Sequence, residues 1–119
     1  MATHNLVEVV LTGQIADIST ADQIYIPVPN GFEGDIIEIR TAIDAAISGA
    51  DADITTKIAG TAVTNGLITV AQSGSAAGDT DVSNPTGART VRAGDAIEVE
   101  TDGASTGTAK CNVVIVIRR

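Results

Sequence analysis

The sequence predicts an all-β chain, a single antiparallel β-sandwich of seven to eight strands and jelly-roll-like in type. Three observations predict it. Aliphatic residues recur at every second position through most of the chain, the period of a strand buried on one face. Turn signals rich in Gly, Asp and Asn interrupt that alternation at short intervals, as in sandwiches and barrels. No stretch carries a clear helical period. The strongest helical alternative, "TAIDAAISGADAD", rests only on alanine, the best helix former.

Taken in order, "NLVEVVLT" places Val7, Val9 and Leu11 on one side of a first strand. "DQIYIPV" offers Ile24, Ile26 and Val28, and Pro27 and Pro29 mark it as an edge strand or a strand end. "GDIIEIRTAIDAAI" is the clearest case. Ile37, Ile39, Thr41, Ile43, Ala45 and Ile47 share one face, and Glu38, Arg40, Ala42, Asp44 and Ala46 share the other. "ADITTKI" sets Ile54 and Ile58 opposite Asp53 and Lys57. "TAVTNGLITV" predicts a hairpin with a type I′ turn at Asn65-Gly66. A second hairpin is expected in "AIEVETDGASTGTAKCNVVIVIRR", with Ile97 and Val99 inward and the turn near Asp102-Gly103. Its return strand carries Ala109, Cys111, Val113, Ile115 and Ile117 on one face. Val114 and Val116 make the other face apolar too, so both faces of that strand are expected to be covered.

Between these elements lies "SGSAAGDTDVSNPTGA", Ser73 to Ala88, with Val82 as its one branched aliphatic residue. Compact domains connect their elements through about 4–6 residues, and longer links are functional or disordered. The stretch therefore reads as a long surface loop, 73-88, on a single domain spanning 1-119, with a short N-terminal arm at 1-5.

Composition narrows the function classes. A chain of 119 residues suits one domain. Its only aromatics are Tyr25 and Phe32, so its core is aliphatic, and such small cores often gain stability by association. The net charge of −8 and the scattered cations Arg40, Lys57, Arg89, Arg92, Lys110, Arg118 and Arg119 argue against nucleic-acid and anionic-membrane partners. The single Cys111 excludes an intrachain disulfide. "ATHN" after Met1 lacks the pattern of a secretory signal, and no apolar run approaches the roughly 18 residues of a spanning helix. Synthesis in the cytoplasm is expected.

Catalytic chemistry is sought and not found. His4 lies at the chain start without a positioned partner. Cys111, on an inward face, reads as a small hydrophobe. Asp51/Asp53 and Asp79/Asp81 could offer carboxylates to calcium, but neither stretch has the EF-hand pattern. Glu98 and Glu100 alternate with Ile97 and Val99 as an exposed strand face does. The expectation is a non-enzymatic protein with no catalytic residue, no metal and no cofactor, whose work is contact.

From about Ile24 to the end, the chain resembles small proteins encoded among the head genes of tailed bacteriophages. The resemblance rests on "IYIPVPNGFEGDIIEI", "KIAGTAVTNGLITV", "SGSAAGD", "NPTGARTVRAGDAIEV" and "TDGASTGTA". It implies a virion structural protein: a decoration (cement) or head-fibre-like protein that binds the major capsid protein on the capsid exterior and bridges subunits, commonly as a trimer. The marked acidity is a departure from the group. Expected contact residues are Ser73, Gly74, Ser75, Gly78, Asp79, Val82, Asn84 and Pro85, with Phe32 as either an anchor or a plug at one end of the sandwich. The alternative is a carbohydrate- or host-surface-binding β-sandwich module of a phage fibre.

Overall fold

The computed structural model describes residues 7–119; the expected arm at 1-5 lies outside them. Ten strands form two five-stranded antiparallel sheets, with no helix among the described residues. The strands are β1 (Glu8–Ile15), β2 (Asp22–Pro27), β3 (Gly34–Ile43), β4 (Ala52–Ile58), β5 (Thr61–Ala62), β6 (Ile68–Val70), β7 (Thr80–Ser83), β8 (Thr90–Val91), β9 (Ala96–Thr101) and β10 (Cys111–Arg118). Sheet A runs β1-β10-β3-β7 with β8 also on β3, and sheet B runs β2-β9-β4-β5 with β6 also on β4.

The long strands turn their aliphatic faces to the space between the sheets, so the core is built from alternation. Ile36, Ile39, Val113, Ile115 and Ile117 from sheet A and Ile54, Ile97 and Val99 from sheet B are almost fully buried. Removing one such side chain from water contributes about 1.5–3 kcal/mol. Val114 and Val116, on the far side of β10, are half-buried between β1 and β3.

Four local expectations give way to tertiary pairing. First, β3 carries a bulge. Val116 opposes Glu38 and Ile117 opposes Ile36, which leaves Ile37 as the extra residue. An extra residue reverses the in-out parity, so the inward set begins Ile36, Ile39, Thr41, Ile43, and Ile37 is only half-buried on the other side. Asn84 Nδ2 donates to the Ile37 carbonyl at 3.2 Å.

Second, the hairpin at Asn65-Gly66 is not formed. The tight turn lies earlier, at Ala59-Gly60, both with positive φ (50° and 81°), joining β4 to β5. Asn65 is left-handed (φ 59°) but Gly66 is not. β5 and β6 do not pair with each other; both lie along the same edge of β4. Third, β9 and β10 belong to different sheets, so Asp102-Gly103 starts a crossing and not a hairpin. Fourth, the expected loop 73-88 contains a strand, β7, on the edge of sheet A.

Phe32 closes one end of the sandwich. It is only 7% exposed, and the Arg119 guanidinium lies 5.7 Å from its ring centroid, within cation–π range. Ile18 and Ile47 are buried at the other end. Along one side β1 approaches β2 so closely that a Cβ on Gly13 would lie 2.7 Å from Ile24 Cδ1.

Candidate functional site

Residues 72–89 adjoin the body through hydrogen bonds instead of apolar burial. Gln72 N–H donates to Asp51 Oδ1 (2.9 Å). Ser75 Oγ accepts from Ile47 N–H (2.9 Å) and lies 2.9 Å from the Ile47 carbonyl. Asp79 Oδ2 accepts from Ala76 N–H (2.9 Å) and closes its own turn. Gly78 N–H then donates to the Ile43 carbonyl (2.8 Å), and β7 continues the ladder on β3. Further on, Ser83 Oγ donates to the Gly66 carbonyl (2.9 Å). Thr64 and Gly87 form an isolated bridge, tying residues between β5 and β6 to those between β7 and β8. Small side chains permit this backbone-on-backbone approach: a Cβ on Gly87 would already sit 3.1 Å from Thr64 Oγ1.

The expected contact residues divide accordingly. Ser73, Gly74, Gly78, Asp79 and Asn84 are exposed, and Val82 is 49% exposed. Ser75 is half-buried and held by Ile47, and Pro85 is buried. Phe32 is core, so of its two expected roles the structure gives it the plug. Of these, Ser73, Gly78 and Asp79 border an open cleft of about 380 Å³ between the ends of β6 and β7, lined also by Val70, Ala71, Thr80 and Asp81. Asp81 points inward beside Thr41, and burial, followed by repulsion from Asp79, raises its pKa.

The acidity has a local cause that composition alone did not reveal. Aspartates build the turns: Asp17 Oδ1 accepts from Ser19 N–H (2.9 Å) and Oγ–H (2.7 Å). Asp44 Oδ1 accepts from Lys110 N–H (2.7 Å), Asp95 Oδ2 from Arg92 N–H (2.8 Å) and Asp102 Oδ1 from Ala104 N–H (3.1 Å). A short carboxylate satisfies turn amides that no sheet reaches. The Ser19 hydroxyl and then its amide hold the Asp17 carboxyl below the usual range. Asp53 accepts from Thr69 Oγ1 (2.8 Å). The turn aspartates therefore serve the loops, Asp53 links β4 to β6, and no three His, Cys, Asp or Glu side chains among the described residues converge as a metal site. Cys111 is fully buried, and burial, with the Asp81 charge second, pushes its thiol up to about 11.

The two outer faces present different chemistry. On sheet A the rows are Val10–Val116–Glu38 and Thr12–Val114–Arg40–Val82. Arg40 pairs with Glu38 at 2.9 Å and Arg118 with Glu8 at 3.2 Å, and Asp35 accepts from Thr90 Oγ1 at 2.6 Å. On sheet B the rows are Gln23–Glu100–Thr55 and Tyr25–Glu98–Lys57–Ala62. There Lys57 reaches diagonally to Glu100 at 2.7 Å and forms no ion pair with Glu98, its direct neighbour on the row. The hydrogen bond and charge of Glu100 raise the Lys57 pKa. Tyr25 is 60% exposed, the one exposed aromatic among the described residues.

No protein-family model matches this chain, and no curated protein does. Among solved structures it is similar to a chain described as "Cyanophage Pam1 capsid asymmetric unit". The TM-score is 0.59 at 14% identity, covering 99% of this chain and 90% of that one. The two chains are thus nearly equal in length and share one fold from end to end. This sandwich thus has the fold of a chain from a phage capsid asymmetric unit.

Proposed function

We propose that the protein is a non-catalytic virion structural protein that decorates the exterior of a tailed-phage capsid and bridges its subunits. The carrying observation is the end-to-end likeness to a similarly short chain of a cyanophage capsid asymmetric unit. The strand order supports it. If β5 with β6 and β7 with β8 each count as one interrupted strand, four strands remain per sheet, ordered β1-β10-β3-β7/β8 and β2-β9-β4-β5/β6. That order supports a jelly-roll reading, an arrangement frequent in capsid and lectin domains.

In this reading the exposed part of 73–84, with Val82 as its apolar centre, lies against the major capsid protein. Many copies, each with modest contacts, would stabilise the shell collectively. A sugar-binding module would need aromatic stacking surface, and Tyr25 alone supplies it on a face otherwise rich in carboxylates. That composition favours the capsid-contact reading. Co-sedimentation with empty heads of the encoding phage tests it, together with imaging of virions. Binding at outer symmetry positions, weakened by Val82→Asp and unaffected by Tyr25→Ala, is expected. Absence of the protein from purified virions would refute it.

A further inference from the structure

The sandwich has four sheet edges, and three carry devices against strand pairing. Edge β2 ends in Pro27. Edge β5/β6 is broken by residues 63–67. Edge β7/β8 is broken by residues 84–89, and it turns the carboxyl of Asp81 inward. Breaks, prolines and inward charges on edges all suppress pairing with other chains.

Edge β1 has none of these. It runs unbroken over Glu8–Ile15, without proline, and its one charge, Glu8, is held by Arg118. Arg119 N–H donates to the Val7 carbonyl (2.9 Å), and the register then steps one-to-one to Ile15↔Cys111. In an antiparallel ladder, alternate residues point their N–H and C=O groups to opposite sides. Glu8, Val10, Thr12 and Gln14 therefore aim these groups away from β10. No backbone group among the described residues outside the β1–β10 ladder bonds to them. Their side chains are exposed, Val10 by 58%.

We infer that this edge is closed by β1 of a second copy of the chain, antiparallel about Leu11, extending sheet A across a twofold axis. Charge selects the edge at which two copies can meet. Copies of a chain with net charge −8 repel one another least where carboxylates are already paired, whereas the β2 edge carries Asp22 and runs beside Glu98 and Glu100 of β9. The face around β1 holds its carboxylates in pairs with Arg118 and Arg40. Centring on Leu11 pairs the whole of Glu8–Gln14. Val10 then stands opposite Thr12 of the second copy and Glu8 opposite Gln14, and the valine strip of each outer face continues into the other. The inference rests on the fold and not on capsid docking, and it puts a twofold pair in place of the trimer implied by the family resemblance.

The test is the mass of the full chain in solution, from dilute to near-millimolar, with residue-resolved amide exchange on the same samples. Two copies are expected at high concentration, with the Val10, Thr12 and Gln14 amides slowed at least about tenfold relative to the dilute chain. Val10→Lys should give a monomer of unchanged melting temperature. Thr12→Pro, which removes a donor the β10 ladder does not use, should do the same; it decides the matter if the lysine variant fails to fold. Tyr25→Lys, on the other edge, should leave the pair intact. A chain that stays monomeric throughout overturns the inference. So does a trimer with fast amides at those positions, or protection that appears only on phage heads. Head binding by the monomeric Val10→Lys variant is scored separately, so capsid docking and edge pairing can fail independently.

Discussion

The outer faces of sheets A and B cover equivalent interiors and present different surfaces to a neighbour. Inside, both sheets are near-uniform layers of Ile and Val. Outside, sheet A carries Val10, Val82, Val114 and Val116 among paired charges, whereas sheet B carries Glu98, Glu100 and Asp53 around Lys57. Strand alternation leaves one residue in two free of the core, and those free positions differ here in apolar content and in charge balance. Contact with other molecules is therefore expected to concentrate on sheet A and its edges, while the carboxylates of sheet B keep that face solvated.

Four measurements can break or sharpen this contrast. The largest effect concerns what the sheets share. Ile115→Ala in sheet A and Ile97→Ala in sheet B should each cost about 2–5 kcal/mol in denaturant unfolding; a large cost in one sheet alone would show that the interiors are not equivalent. Next come the outer faces. Val114→Lys should cost about 1–2 kcal/mol, through lost packing between Thr12 and Arg40, while Thr55→Lys beside Glu100 should stay within about 0.5 kcal/mol. Equal costs would erase the distinction.

A third, smaller effect is alkaline. The folded-state pKa of Cys111 is raised, to about 11 from 9.0. The unfolded chain therefore loses this proton first, and the stability linked to the neutral thiol is complete below pH 9.0 and lost as pH rises towards about 11. Cys111→Ala should flatten that part of a stability–pH profile, and the native thiol should resist thiol reagents at neutral pH. The smallest effect is Lys57→Met, which removes the partner of Glu100. A slight fall in melting temperature is expected at low salt and none at high salt. A fall that survives high salt would mean the pair does more than balance charge on sheet B.

Much of this architecture is legible in the sequence because strand alternation is a local property. The inward faces of β2, β4, β9 and β10 follow from Ile26, Ile54, Val99 and Ile115 without knowledge of their partners. What is not legible depends on distant residues. The bulge at Ile37 exists only relative to β10, and it reverses the parity of a strand whose composition gives no sign of it. Asn65-Gly66 has the composition of a tight turn, yet the bridge from Thr64 to Gly87 directs that segment elsewhere. β9 and β10 look like neighbours because they are consecutive, and sheet membership is not encoded in either strand. The segment 73–88 reads as a loop because it lacks apolar residues. A strand held by backbone bonds and by Ser75, Ser83 and Asn84 side chains leaves no hydrophobic period to detect.

Six of the nine connections in this fold pass from one sheet to the other, and β10, the last of the ten strands, lies between β1 and β3. This inner strand of sheet A thus takes its place only after the other nine have been made, and pairings so remote in sequence form slowly. The same wiring gives the finished sandwich persistence. Pulling β1 away uncovers β10, and freeing β10 requires its ladders with both β1 and β3 to part, so persistence under mechanical or thermal load is expected to follow the rate at which these ladders open.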